Sequence, residues 1–375
     1  MSPTYGVLLV SFSPHSHQST FAPIFKAHPR LQIVAVADNT DIEPTLKATN
    51  QHWAEQLGVP YLENIDDALN LPNVDIVSIG HEIERRSKIA IRSAQAGKHL
   101  WIDKFMGANL QECEAVVAAV DTAGIRAIVP SYTYGELVRQ CGELINSGVL
   151  GELIAIHSDI LFCKGWPAPF SPPDSFLPAG RWKFPDIKRE LLTVGSYSVG
   201  LIQHFFGPIK QVFAQGGAHF FREHAAHNAD DFATMTLVDI NGRVATLCAG
   251  RVGVATHSSG GPWRAWLVGT KSSALVDAKR PLLEVTLSKT ITDTDYHPPT
   301  SDPMQWHTPS PTTTSSLVSD PCLPNGLNDL IAAIDEERSP LYSVADARDQ
   351  MEVLLAGYQS IVESAPVYLP KVGGH

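Results

Sequence analysis

The chain has 375 residues, 44% of them hydrophobic and 18% charged, with a formal net charge of −11. That length exceeds what one hydrophobic core usually organises, so two domains are expected. The acidic balance argues against nucleic acid as a partner, and no apolar run reaches the length of a membrane helix, which leaves a small-molecule partner as the expectation.

Five scattered cysteines without CxxC spacing suit reduced thiols. The start, Met1-Ser-Pro-Thr-Tyr-Gly, shows no charged leader, so cytoplasmic residence is expected. Gly6 to Phe12 reads as a buried strand, followed by a polar loop and a helix from about Ser19 to Ala27. A second strand, Leu31 to Asp38, ends in an acid, and the helix Ala48 to Leu57 stops at Gly58. Strand Val74 to Ile79, helix Arg86 to Ala96, strand Lys98 to Ile102, helix Leu110 to Ala123 and strand Arg126 to Pro130 follow. Such alternation predicts a Rossmann-type, doubly wound parallel sheet over residues 1–130.

After Tyr132 the pattern changes. A helix, Gly135 to Ser147, leads to a long alternating strand, Glu152 to Phe162, then a Pro-rich loop from Gly165 to Pro185 and a helix near Val194 to Phe206. Strands are expected at 209–220, 231–240, 243–251, 263–268 and 274–276, with a hairpin turn at Asn241-Gly242. Residues 131–375 are thus read as an α/β domain with a large open, mostly antiparallel sheet. The stretch 292–325, rich in Thr, Ser and Pro, reads as a surface loop, and the helix Ser343 to Glu363 as packing back on one domain. The apolar alternation of Val244 to Ala249 needs a cover, so a homo-oligomer, dimer or tetramer, is expected through the open sheet.

The run Ala96-Gly-Lys-His-Leu-Trp-Ile-Asp-Lys104-Phe-Met resembles the "AGKHV-EKP" signature of the Gfo/Idh/MocA family of sugar and cyclitol dehydrogenases. Asn146 to Leu153 resembles that family's crossover into its second domain, Gly180-Arg-Trp182-Lys its lid segment, and Leu341 to Pro370 its terminal helix and strand. The resemblance implies NAD as cofactor and hydride transfer to or from a polyhydroxylated ring. Asp38 stands where the family places an acid on the adenosine ribose, which favours NAD over NADP; the other reading is a solvated turn aspartate. Lys104 matches the signature lysine, which sits beside the nicotinamide, and Phe105 replaces the proline after it.

The chemistry-bearing motifs depart from the family pattern. The first loop is Gly-rich in the family, so that a diphosphate can approach the following helix. Here it reads Ser11-Phe-Ser13-Pro-His15-Ser-His17-Gln18, with no glycine, and Ser11, Ser13 and His15 become the candidates for cofactor contact. His81 and Glu82 follow the fourth strand, where they either touch cofactor or serve the loop. The second-domain Asp-x-Gly-x-His segment becomes Thr193-Val-Gly-Ser-Tyr197. Tyr197, which some relatives share, is the candidate acid/base with Lys104 lowering its pKa, and Thr193 stands at the aspartate position; a packed helix tyrosine is the alternative.

Lys188-Arg189-Glu190 replaces a glycine run, so Lys188 and Arg189 either recognise an anionic substrate or are solvated. Tyr132 and Trp182 are expected to shape the substrate pocket, with Tyr134 near the domain junction. His15-x-His17 and His219 to His227 supply no set of three metal ligands, so metal catalysis is set aside. Beside the dehydrogenase stand two other readings: a non-redox lyase, dehydratase or isomerase in the same cleft, and a non-catalytic ligand sensor.

Overall fold

The computed structural model describes residues 4–163, 168–178, 187–252, 261–277, 282–287 and 322–370. Trp182 and residues 292–321 of the expected loop lie outside this set. The chain divides into two compact units, Met1–Tyr134 with Pro321–Glu352, and Gly135–Asp320 with Val353–His375.

Six strands build the first sheet: β1 (Tyr5–Val10), β2 (Leu31–Ala37), β3 (Tyr61–Leu62), β4 (Ile76–Ile79), β5 (His99–Ile102) and β6 (Ala127–Ile128). Their order is β3-β2-β1-β4-β5-β6 and every pairing is parallel. Val7 to Val10 and all of β4 are buried, as strands covered on both faces must be. The connecting helices are α1 (Gln18–Ala27), α2 (Pro44–Leu57), α3 (Ile65–Leu69), α4 (Ile83–Gln95) and α5 (Leu110–Ala123). Helix α2 starts four residues before the expected Ala48 because Pro44 occupies its first turn, where a missing N–H costs nothing. The strand order reverses between β1 and β4, and the crevice at the carboxyl ends of those two strands is where such sheets bind ligands.

The C-terminal half departs from the expected loop. Residues 322–325, read as loop, open a helix of fourteen residues, Cys322–Asp335, that belongs to the first unit. Pro324 and Gly326 look like helix breakers, yet Pro324 sits in the first turn and Gly326 lies against the Tyr134 ring, where a Cβ would approach within 3.2 Å. Asn325 donates to the Tyr134 carbonyl at 3.2 Å, and the Tyr134 hydroxyl donates to Asp329 at 2.9 Å. Tyr134 is therefore an anchor for this helix within the first unit.

After α6 (Glu136–Asn146), eight strands form the second sheet: β7 (Leu153–Cys163), β8 (Ile209–Gly217), β9 (Phe232–Asp239), β10 (Val244–Val252), β11 (Trp263–Gly269), β12 (Ser272–Asp277), β13 (Leu282–Leu287) and β14 (Val367–Tyr368). The order is β13-β12-β11-β7-β10-β9-β8-β14, antiparallel except for the parallel pair β7/β10. On one face Ile156, Ser158 and Ile160 are buried beneath helices α7 (Glu190–Thr193) and α8 (Gly195–Phe206), and the Ser158 and Ser198 hydroxyls meet at 2.8 Å. On the other, His157 Nδ1 lies 2.6 Å from Thr246 Oγ1 and its ring 5.1 Å from that of Trp266, which is 47% exposed.

Candidate functional site

The first unit gathers Ser11, Ser13, His15, Asp38, His81, Glu82 and Lys104 at the carboxyl edge of its sheet. Ser11 stands just after β1 with φ of +64°, the left-handed conformation a glycine would adopt freely. The tight turn of a glycine fingerprint survives without the glycine. Ser11→Gly is expected to raise stability by about 1 kcal/mol, the relief of a left-handed L-residue less the entropy glycine loses on folding. Urea unfolding checks this, and a loss of stability would show that the serine side chain outweighs its backbone.

Where the fingerprint would bring helix and strand together with a third glycine, Gln18 is wholly buried in α1. Its side-chain amide donates to the Ser78 carbonyl of β4 at 3.2 Å and accepts from the Ser78 hydroxyl at 2.8 Å. The room comes from Gly80, at which a Cβ would lie 2.6 Å from Gln18 Cβ and 2.5 Å from the Ser11 carbonyl. The sequence signal for this exchange was a glycine directly after β4.

Asp38 is not presented as an open carboxylate, nor is it a solvated turn residue. It is fully buried. Its Oδ1 accepts from His81 Nε2 at 2.9 Å and from the Asn39 amide at 2.8 Å, and its Oδ2 from Asn50 Nδ2 at 2.9 Å. Burial favours the protonated acid, but the His81 and Asn39 contacts reverse that and hold Asp38 below the usual carboxylate range. Asn50 in turn accepts from the Phe12 amide at 2.7 Å, and the Phe12 ring stacks on Trp53 of α2 at 4.7 Å. His81 Nδ1, also buried, has no hydrogen-bond partner among the described residues.

A second network, invisible to sequence reasoning, centres on Asp103 and Arg86. The His17 amide donates to Asp103 Oδ2 at 2.9 Å and His17 Nδ1 lies 2.9 Å from Oδ1, so the head of α1 is tied to the end of β5. Arg86 is fully buried, donating to the His81 carbonyl at 2.5 Å and the Phe105 carbonyl at 2.6 Å, with Asp103 at 3.4 Å. Burial alone would raise the Asp103 carboxyl; the Arg86 charge and His17 hold it at about 2. Lys104 is half-buried, its amide donates to Asp103 at 2.8 Å, its Nζ lies 5.9 Å from the Phe105 ring centre, and the Lys104–Phe105 peptide is cis. Glu82 pairs with Arg85 at 3.4 Å, and Tyr132 is half-buried in a 3-10 turn.

The loop amides have internal partners. His15 donates to Ser13 Oγ at 3.3 Å, Ser16 to the Ser13 carbonyl at 3.0 Å and Gln18 to Ser16 Oγ at 3.3 Å. A dinucleotide fits this edge in its turn conformation, in its strand order and in the orphaned His81 nitrogen. Its diphosphate would replace the hydroxyl partners of the His15 and Gln18 amides with its own oxygens.

In the second unit Tyr197, in the first turns of α8, is half-buried in an aromatic recess. Its ring lies 6.2 Å from that of Phe162 and 5.6 Å from that of Trp263, and those two meet edge to face at 5.3 Å. Thr193 is turned inward, its hydroxyl donating to the Arg189 carbonyl at 3.0 Å. Lys188 is half-buried, whereas Arg189 and Glu190 are each only 2% exposed, which corrects the reading of Arg189 as solvated. The Arg189 guanidinium lies 5.1 Å from the centre of the Tyr358 ring.

In the same unit, Asp230 is wholly buried, accepting from the Leu191 amide at 2.5 Å and from the Tyr358 hydroxyl at 2.8 Å. Burial pushes its carboxyl up to about 6, against these hydrogen bonds. A raised carboxyl binds its proton more tightly in the folded state, so its contribution is full below about pH 4 and lost as pH rises through about 6. Asp230→Asn is expected to gain on the wild type by roughly 2–3 kcal/mol between pH 4 and 7. Urea unfolding across that range measures the difference, and a flat one would show that Asp230 does not titrate there.

Two family models match this chain. The oxidoreductase family with an NAD-binding Rossmann fold matches residues 15–131, and the GFO/IDH/MocA C-terminal domain residues 138–275. A 1-carboxy-3-chloro-3,4-dihydroxycyclohexa-1,5-diene dehydrogenase of Comamonas testosteroni is 28% identical over 36% of this chain and 33% of its own length. Levoglucosan dehydrogenase of Pseudarthrobacter phenanthrenivorans is 24% identical over 52% of this chain and 50% of its own. The chain thus spans a third to a half of the length of these relatives. The WlbA dehydrogenase of Bordetella pertussis, solved with NADH and UDP-GlcNAcA, shares the fold at a TM-score of 0.73 and 17% identity, over 99% of both chains. With both domains matched in order, and with a parallel Rossmann sheet followed by a large mixed one, the chain belongs to the Gfo/Idh/MocA family of NAD-binding oxidoreductases.

Proposed function

We propose that this protein is an NAD(H)-dependent oxidoreductase that moves hydride between the nicotinamide and a hydroxyl-bearing carbon of a sugar, cyclitol or related ring. The observation that carries the proposal is the half-buried Tyr197 phenol beside the half-buried Phe162 ring, over the buried Trp263, where an apolar ring face can pack against a substrate ring while the hydroxyl takes its proton. The relatives named for ring substrates support the same class. When bound, the nicotinamide supplies the hydride acceptor or donor. Ser13, His15 and the amides beside them would hold the diphosphate, and Lys104 would face the nicotinamide.

NAD is favoured over NADP by the basic groups near the end of β2. Arg85 is paired with Asp41 at 3.1 Å and with Glu82, and Arg92 with Asn39 at 3.3 Å and with Asp66, so neither guanidinium is left over for a 2′-phosphate. A non-redox reading gains support from the internally partnered loop amides. Calorimetric titration of the purified protein with NADH and NADPH separates the two: NADH binding is expected, and no binding by either at about 1 mM, the upper end of ordinary KM values, would sink the dehydrogenase.

Assembly as a homo-oligomer, dimer or tetramer, is proposed through the open sheet face. Val244 at 41% and Trp266 at 47% exposure lie on that face with His157, Thr246 and Thr236, beside the Arg264–Asp159 ion pair. Light scattering is expected to give a multiple of the chain mass, and a monomer would refute it.

A further inference from the structure

We propose that Arg251 is the residue with which this protein recognises a carboxylate on its ring substrate, held in position by the buried Glu190. The inference rests on the reading of Tyr197 as the acid/base of a ring dehydrogenase and adds a charge to the substrate. Arg251 and Phe162 are register partners on the parallel strands β10 and β7, so their side chains leave the same face of the sheet. The guanidinium carbon lies 5.3 Å from the centre of the Phe162 ring, the same ring that flanks Tyr197. Arg251 therefore borders the recess in which the substrate ring is placed.

Its hydrogen bonding is lopsided. Arg251 Nε donates to Glu190 Oε1 at 2.7 Å, and its Nη groups make no hydrogen bond among the described residues. The Glu190 side chain is 2% exposed while that of Arg251 is 30% exposed. One edge of the guanidinium is thus anchored inward, its face is stacked, and the two-nitrogen edge is left for a planar bidentate partner, the geometry a carboxylate matches. His224 Nε2 lies 3.7 Å from the same Glu190 oxygen. A dianionic phosphate would call for more cations than one anchored guanidinium; a single carboxylate does not. Glu190 acts through Arg251 and is a positioning residue.

The test is calorimetric binding to the purified full chain of matched pairs: D-glucuronate against D-glucose, D-galacturonate against D-galactose, and quinate against myo-inositol. At least one acid is expected to bind about tenfold or more tightly than its neutral partner, the range of a charged hydrogen bond. Arg251→Gln, checked for folding by its melting temperature, should erase that difference and leave the neutral partner's affinity unchanged, while Arg251→Lys should keep part of it. Equal binding within every pair, no binding by any acid, or a preference that survives in Arg251→Gln overturns the proposal. Tyr197→Phe should keep the acid preference; if that variant also keeps turnover, the reading of Tyr197 fails while the assignment of Arg251 stands.

Discussion

Tyr197→Phe is expected to lower kcat by about 10²–10⁴-fold, the contribution of a positioned acid/base, with little change in KM. The substitution keeps the ring and its contacts with Phe162 and Trp263, so the recess stays filled and only the hydroxyl is lost. A loss confined to kcat marks a group acting in the transition state; a rise in KM with kcat intact would make Tyr197 a wall of the pocket. Stopped-flow reduction of NAD in a single turnover separates the chemical step from product release. An unchanged rate of that step would remove Tyr197 from the chemistry.

Arg86→Met is expected to cost about 3–5 kcal/mol, the price of removing one member of a buried charge network. Methionine fills much of the same volume, but the His81 and Phe105 carbonyls lose their donor and the Asp103 carboxylate loses the charge that holds it ionised. Asp103 should then titrate above its present value of about 2, so the variant's deficit against the wild type should be largest near neutral pH, where the carboxylate is ionised without its partner, and should narrow as pH is lowered towards 4. Arg86→Lys restores a charge without the planar fork and should recover only part of the loss. Urea unfolding at two pH values measures both effects, and a change below about 1 kcal/mol in Arg86→Met would show that the network contributes little.

Much of the fold was legible because the longer strands of the first sheet are mostly apolar and helices α1, α2, α4 and α5 are long enough to show their period. Helix α5 was read to the residue, since Asn109 caps it and Gly124 ends it. The helix Cys322–Asp335 was missed because its first turn, with Pro324, continues the Thr-, Ser- and Pro-rich stretch read as loop. The two-residue strands β3 and β14 carry too few residues for any period to register. The candidate site divides in the same way. The strand-end Asp38 was visible, but its burial depends on Asn50 and His81, twelve and forty-three positions away. Arg86 looked like an ordinary helix arginine, and only the fold brings Asp103 and two carbonyls to it. Arg251 passed as one residue of an alternating strand.

Gln18 and Gly80 work as a lock whose two halves cannot be exchanged singly. Returning a glycine at 18 would strip Ser78 of both its partners and leave a hollow between helix and sheet, while a methyl at 80 would strike the Gln18 stem and the Ser11 carbonyl. A chain drifting between this arrangement and a glycine-rich one has to cross a poorly packed intermediate by either route. A sequence pattern that watches only the loop sees a lost fingerprint, when the close approach it stands for has been kept from the opposite side.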